Sequence, residues 1–302
     1  MSKTSLDFIA KKLSDKVESE ILKMGIQYRI FFRAKDFNSI TEKINRKIKE
    51  EKPYSESGKK MQDIFGIRIV TYFQDDIPLA LSVLDGVFKI VDKEIDSPNA
   101  TVFAPKRTNI IYSLPDDELA LFNEYLSDKL DVEYKLLDST FELQLRTVLS
   151  EGWHEIDHNL RYKCKSDWEL HAEKERMLNG IYASLETNDI AMKNLFNELA
   201  YQHFKAHNWE GMLRTKFRIK FKQSNLDTDI IHLLNDDYSI GKSIIKIERE
   251  EALSKLAKFD NNIPLTISNF FYILNFTCLK NSDVDLLISD ALKELIIKFY
   301  HE

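Results

Sequence analysis

Residues 139–163 read STFELQLRTVLSEGWHEIDHNLRYK, and the period of the stretch changes once. Phe141, Leu143 and Leu145 alternate with Glu142, Gln144 and Arg146, the pattern of a strand with one buried face. Side chains two apart point the same way, so a carboxylate, an amide and a guanidinium share the other face. From Thr147 onward Leu149, Trp153, Ile156 and Leu160 recur at helical spacing. A polar strand therefore runs straight into an amphipathic helix, with Glu142 beside the helix start.

Upstream, Tyr28, Ile30 and Phe32 lie two apart in YRIFFRAK and predict another strand. Arg33 and Lys35 then face one way in extended chain. Asn38 or Ser39 is expected to cap a helix beginning at Ile40. Aligned cations ahead of a helix start suit a polyphosphate, because the helix N-terminus adds amides and positive dipole. In MQDIFGIRIVTYF, residues 61–73, an apolar β-forming run predicts a buried strand from about Gly66. Asp63 sits just before it and Arg68 within it.

Four spacings carry a resemblance. Glu142, Gln144, Arg146 and Thr147 fit E-x-Q-x-R-T, and Trp153, Glu155, His158, Tyr162 and Lys163 fit W-x-E-x-x-H-x-x-x-Y-K. Arg33, Lys35, Ser39 and Lys43 fit R-x-K-x-x-x-S-x-x-x-K. Asp63, Gly66 and Arg68 fit D-x-x-[AG]-x-R. Together they resemble the synthetase domain of the RelA/SpoT family, which makes the alarmones (p)ppGpp. The resemblance implies an α+β fold: a nucleotidyltransferase-like mixed β-sheet flanked by helices, followed here by a mainly helical C-terminal region. It implies transfer of the β,γ-pyrophosphate of ATP to a ribose 3′-hydroxyl, with release of AMP. Asp63 and Glu142 would hold Mg²⁺, a hard ion that usually takes one or two carboxylates plus substrate phosphates. Glu142 would also take the hydroxyl proton. Arg33, Lys35, Ser39, Lys43 and Arg68 would bind ATP, and Gln144 and Arg146 the acceptor. His158 and Tyr162 are expected to pack or support.

The family pattern P-K-x-N-G-Y-x-S-x-H, whose Tyr stacks on the acceptor guanine, is altered. Pro105 and Lys106 match, but an ungapped alignment puts Ile110 at the Tyr and Leu114 at the His. One inserted residue recovers Asn109 and Ser113 and leaves Ile111 and Pro115 there. Tyr112 substitutes only if the loop shifts. Lys106 and Arg107 remain candidate phosphate binders, while Ile110 and Ile111 read as strand. The acceptor is left open between GDP or GTP, another nucleotide and the 3′ end of tRNA. Family analogy with toxic small alarmone synthetases adds growth arrest or phage defence as a role, with an antitoxin or regulatory protein and a homo-oligomer as partners. No hydrolase segment of the HD type is expected to precede the domain.

The composition sets bounds. The 302 residues are 43% hydrophobic, ample for a core, and the net charge of −6 argues against a globally nucleic-acid-binding surface. Two cysteines suggest reduced thiols. No signal-peptide core and no run near ~20 apolar residues is present, so no membrane is expected and the location is expected to be cytoplasmic. The expected segments are 1–165, the synthetase-like domain; 166–222, a helical extension; and 223–302, a small helical domain. The extension ends in an extended tract, Arg214 to Lys222, with one cationic face. A helix is expected over 5–25, a helix and then a strand over 75–91, and an acidic amphipathic segment over 116–138. Two rival readings remain: an inactive nucleotide- or partner-binding module of the same fold, and a zinc protease, because His154, Glu155 and His158 fit H-E-x-x-H.

Overall fold

The computed structural model describes residues 5–97, 103, 106–127, 129, 131–222, 224–259 and 263–300. They form two compact units that are interleaved along the sequence. The first comprises Met1–Glu18, Tyr28–Thr71 and Leu84–Leu185; the second comprises Ser19–Gln27, Tyr72–Val83 and Glu186–Glu302. The segments expected from the sequence were contiguous. Residues 19–27 and 72–83 belong to the second unit because their apolar side chains and backbone find partners there. Phe73 meets Phe196 edge-on at 5.1 Å, and the Gly25 carbonyl accepts from the Lys220 amide at 2.8 Å.

The first unit is built on a mixed sheet in the order β1-β2-β5-β4-β3. The strands are β1 (Tyr28–Ala34), β2 (Phe65–Thr71), β3 (Ile90–Ile95), β4 (Thr108–Ser113) and β5 (Thr140–Thr147). β2 and β5 are parallel neighbours, and the other pairs are antiparallel. On β5 burial alternates as the sequence predicts: Phe141, Leu143 and Leu145 are buried, and Glu142, Gln144 and Arg146 are half-exposed. The buried face of the sheet carries Phe65, Ile67, Ile110 and Tyr112 as well. Helix α1 (Ser5–Lys23) buries Leu6, Ile9, Leu13 and Val17 in this unit. The strand expected near 87–91 begins at Ile90 and forms the exposed sheet edge.

Helix α2 (Phe37–Lys49) begins earlier than Ile40. Its cap is Asp36, whose carboxylate accepts from the Ser39 amide at 2.7 Å. Asp36 rather than Asn38 or Ser39 satisfies the orphan first-turn amides. After α3 (Asp76–Asp85), helix α4 (Asp116–Ser127) and the single turn α5 (Val132–Lys135) occupy the acidic segment before β5. Helix α6 (Val148–Ile156) is opened by a reciprocal cap between Thr147 and Ser150. Of the apolar stripe expected on it, Trp153 is buried, but Ile156 and Leu160 are exposed. The helix turns into a π-helical segment at Asp157–Tyr162, which breaks the 3.6 period on which the stripe depended.

Helix α7 (Ala172–Lys205) crosses the boundary in sequence. The second unit is otherwise α8 (Trp209–Phe217), α9 (Thr228–Asp236), α10 (Tyr238–Lys246), α11 (Arg249–Leu256), α12 (Ile267–Leu274), α13 (Ser282–Leu287) and α14 (Asp290–Phe299). Its core centres on Trp209, Phe217, Phe270 and Phe271. Gly241 allows the close approach of Trp209, since a Cβ there would lie 2.5 Å from the indole. The tract Arg214 to Lys222 is not the extended cationic face expected. It stays helical to Phe217, and Arg218, in the left-handed conformation at φ 51°, turns inward.

Arg218 is 4% exposed, grips Asp75 with both terminal nitrogens at 3.2 and 2.6 Å, and lies 4.3 Å from the Phe73 ring centre. Beside it the buried Arg249 pairs with Asp76 at 2.6 Å and donates to the Phe217 carbonyl at 2.8 Å. Burial pushes the Asp76 carboxyl above its ordinary range, with Arg249 opposing. Removing one member of such a pair strands the other. Arg249→Ala should therefore lower stability by about 3–5 kcal/mol. Arg46→Ala, at the exposed pair with Glu50, should cost less than about 1 kcal/mol. Urea unfolding of the two variants checks this; equal, small effects would contradict it.

Candidate active site

The polar face of β5 continues sideways through a chain of hydrogen bonds. In the sheet Gly66 lies opposite Glu142, Arg68 opposite Gln144, and Asn109 opposite Gln144 from the other side. Glu142 accepts from the Asn109 amide at 3.2 Å and from the Gln144 amide at 3.0 Å. Gln144 in turn accepts from Arg68 Nε at 3.1 Å. One Arg68 terminal nitrogen donates to Glu151 and to Glu155, both at 2.6 Å, and Glu151 also accepts from Arg146 at 2.9 Å. Three strands and α6 thus hold each polar group in place by its neighbour.

Asp63 stands at the entrance to β2. Lys35 donates to its carbonyl at 2.8 Å and to Oδ2 at 2.9 Å, and Lys43, one turn into α2 from Ser39, donates to the same Oδ2. The other oxygen, Oδ1, is buried without a hydrogen-bond partner among the described residues. Burial alone would raise the Asp63 carboxyl, but Lys35 and Lys43 outweigh it and hold the group below its ordinary range. Glu142 goes the other way: burial pushes its carboxyl up, and the negative charge of Asp63 pushes it further. Two carboxylates that feel each other, one with an unmet buried oxygen, fit the oxygen-ligand chemistry of a hard divalent cation.

Two clefts open on this face. One, of about 330 Å³, is lined by Asp63, Glu142, Asn109 and Ile111 together with five lysines, namely Lys43, Lys47, Lys52, Lys59 and Lys60. The other, of about 420 Å³, is lined by Phe31, Phe32, Arg33, Arg68, Gln144 and Glu142 among others. Glu142 lines both.

The structure thus brings together Lys35, Lys43, Asp63 and Glu142, with Arg33, Arg68 and Gln144 around the second cleft. Arg146 joins through Glu151, and Ser39 sits in the first turn of α2. Of the residues expected to hold the acceptor, Tyr112 is turned away from both clefts. Tyr112 is fully buried, donates to Asp85 at 2.7 Å and packs on Phe88 and Phe141; the strand alternation of β4 points it into the core. Arg107 is exposed and paired with Glu94 and Asp96 at 2.6 and 3.0 Å. The Lys106 amide donates to the Tyr182 hydroxyl at 3.1 Å. Pro105 lies outside the described residues. The sequence motifs single out none of Lys47, Lys52, Tyr54, Lys59, Lys60 and Glu151. Only the i, i+4 step from Lys43 to Lys47 on one helix face offered a signal.

Residues 32–167 match the model of the family described as "Region found in RelA / SpoT proteins". No curated protein matches the chain. Among solved structures, the chain is similar to small alarmone synthetase 1 from Bacillus subtilis bound to its product pppGpp. The identity is 21%, over 65% of this chain and 95% of that one, with a TM-score of 0.48. Small alarmone synthetase 2 from Bacillus subtilis follows at 19%, 63%, 97% and 0.46. A GTP pyrophosphokinase family protein from Streptococcus pneumoniae gives 20%, 62%, 86% and 0.44.

The H-E-x-x-H side chains are committed to separate partners. Glu155 holds Arg68, His158 stacks on the exposed Tyr162 at 5.9 Å, and His154 faces Trp153 and Tyr182. Among the described residues no group of three His, Cys, Asp or Glu is placed to hold a metal. Burial, with Arg146 nearby, lowers the His154 imidazole from 6.5 to about 4, and its Nε2 is buried without a partner among the described residues. On acidification the unfolded chain takes up a proton that the folded His154 refuses, so stability falls as pH drops from about 6.5 towards about 4. His154→Gln should remove that part of the pH dependence in melting curves; an unchanged slope would contradict it.

Proposed function

We propose, from the RelA/SpoT region at residues 32–167 and the meeting of two clefts at one carboxylate, that the chain is an ATP-dependent pyrophosphokinase. The observation that carries this reading is Glu142 lining both clefts. A group-transfer enzyme needs its two substrates to converge on the reacting atoms. One shared acidic side chain between a base-sized, partly apolar cleft and a lysine-rich one supplies that convergence.

The donor base suits the second cleft, where the exposed Phe31 and Phe32 and the guanidinium groups of Arg33 and Arg68 offer flat faces for stacking. The donor phosphates then run towards Lys35 and Lys43, the cations already gathered at Asp63. The acceptor ribose enters from the lysine-rich side. Its 3′-oxygen attacks the β-phosphorus, the bond to the α,β-bridging oxygen breaks, AMP leaves, and the hydroxyl proton passes to Glu142. A carboxyl whose affinity for protons is raised by burial and by Asp63 is better matched to that role than an exposed one. Asn109 and Gln144 fix its two oxygens, and the Gln144–Arg68–Glu151 chain fixes the guanidinium beside the donor. Mg²⁺, when bound, would be held by Asp63 and Glu142 and would neutralise charge on the triphosphate. The family resemblance supports a guanine nucleotide as acceptor, while the altered β4 segment leaves other nucleotides and the tRNA 3′ end as substrates to be tried.

The test is incubation with ATP labelled in the β,γ-pyrophosphate against GDP, GTP, ADP, ATP and bulk tRNA, following where the label lands. Label should appear on a 3′-hydroxyl with stoichiometric AMP. An inactive binding module would leave ATP intact with every acceptor. Glu142→Gln should keep the circular dichroism and melting of the parent and lose at least about a hundredfold in transfer; full activity in that variant would defeat the assignment.

A further inference from the structure

The loop between α2 and β2, residues 50–61, supplies a set of groups that the transfer chemistry above leaves unused. Tyr54 is half-buried and is the aromatic side chain among those lining the lysine-rich cleft. Lys52, Lys59 and Lys60 line the same cleft. Among the described residues none of these three is paired to a carboxylate within 4.0 Å. By contrast Lys35 and Lys43 are committed to Asp63, and Arg33 and Arg68 face the other cleft.

The loop is held in shape. Glu51 leaves α2 in the left-handed conformation at φ 56°, and the Lys52 amide returns to the Lys47 carbonyl at 3.0 Å. The Ser55 amide donates to the Lys59 carbonyl at 3.1 Å and the Gly58 amide to the Ser55 carbonyl at 3.3 Å. A Cβ at Gly58 would lie 2.5 Å from Ser55 Oγ, so the Ser55 hydroxyl would have to turn away to admit one. Immediately after the lysines, the fully buried Met61 is clamped to the Leu136 carbonyl at 2.8 Å and the Asp138 amide at 2.9 Å.

Among the described residues the rest of the lining is already engaged or lacks a cation: Lys43 and Lys47 pair with Asp63 and Glu50, and Glu94 with Arg107. β4 contributes Asn109 and Ile111, neither a cation nor a ring, and β3 adds the carboxylate of Asp92. Yet the acceptor must reach Glu142 through this cleft if the donor base takes the other. We infer that loop 50–61 is the acceptor-reading element: Tyr54 stacks on the acceptor base while Lys52, Lys59 and Lys60 hold its phosphates. This rests on the pyrophosphokinase reading for which substrate is the acceptor. The shared chemistry, a base with phosphates on its 5′ side, belongs both to a nucleoside di- or triphosphate and to an RNA strand ending in a 3′-hydroxyl.

The experiment is equilibrium binding to the full chain, without turnover. The probes are GDP, GTP, a short oligoribonucleotide with a free 3′-hydroxyl and, separately, a non-hydrolysable ATP analogue. The acceptor probe bound by the parent identifies the source of the phosphates. Tyr54→Ala should weaken that probe about tenfold or more, and Tyr54→Phe should restore it, since the ring and not the hydroxyl stacks. The double variant Lys59→Gln, Lys60→Gln should weaken it as well. If the probe is the oligoribonucleotide, the salt dependence should fall by about 0.7 in log–log slope for each phosphate that no longer meets a lysine. Affinity for the ATP analogue should be unchanged throughout. Equal weakening of the ATP analogue would assign the loop to the donor and overturn the inference. So would acceptor affinity that is unmoved in all variants, or a parent that binds none of the acceptor probes. A parent that binds an acceptor through this loop but transfers nothing would break the enzymatic reading and leave the binding site standing.

Discussion

The parallel register between β2 and β5 is the constraint on which the rest of the site depends. With Gly66 opposite Glu142 and Arg68 opposite Gln144, the entrance to β2 brings Asp63 to the same end of the sheet as the polar row of β5. A slip of one residue would turn every side chain of β5 to the other face, sending Glu142 into the core and Leu143 into the cleft. The register is fixed by the buried side of the same strands, where Phe65, Ile67, Phe141 and Leu143 are fully enclosed. Each such side chain stabilises the fold by roughly 1.5–3 kcal/mol, enough to outweigh the strain of two like charges on the opposite face.

That strain is distributed, not cancelled. Cations and acids alternate around the cleft: Lys35 and Lys43 at Asp63, Arg68 at Glu151 and Glu155, Arg146 at Glu151. Glu142 is the exception, since its partners are two amides without net charge. The carboxyl best placed between the clefts is therefore the one least neutralised. Ground-state discomfort of this kind is the ordinary signature of a functional group, and here it falls on the side chain that both clefts share.

How far the sequence carried these conclusions depended on range. The β5–α6 junction was legible because a period-2 run of Phe141, Leu143 and Leu145 ends at a capping Thr147, all within ten residues of chain. Asp63, Lys35 and Lys43 were picked out by the motifs that carry the RelA/SpoT resemblance, not by local periodicity. Tyr112 misled because only the pairing of β4 decides which way its ring points. The tract Arg214 to Lys222 misled for a similar reason: its alternation fits a strand, but Arg218 is buried by Asp75, 143 residues earlier in the chain. The loop lysines carried no periodicity, and their convergence on the cleft is set by the Gly58 turn and the Met61 clamp. No helix of the described residues is long and apolar enough to cross a membrane.

The central claim is that Asp63, just ahead of β2, and Glu142, on the parallel neighbour β5, jointly serve one divalent ion with a triphosphate alongside. Manganese binding in the presence of a non-hydrolysable ATP analogue, followed by electron paramagnetic resonance, addresses it without any turnover. The parent should bind the ion only with the nucleotide present, and Asp63→Asn and Glu142→Gln should each weaken that binding. Manganese bound equally well by the parent and both variants would contradict the account.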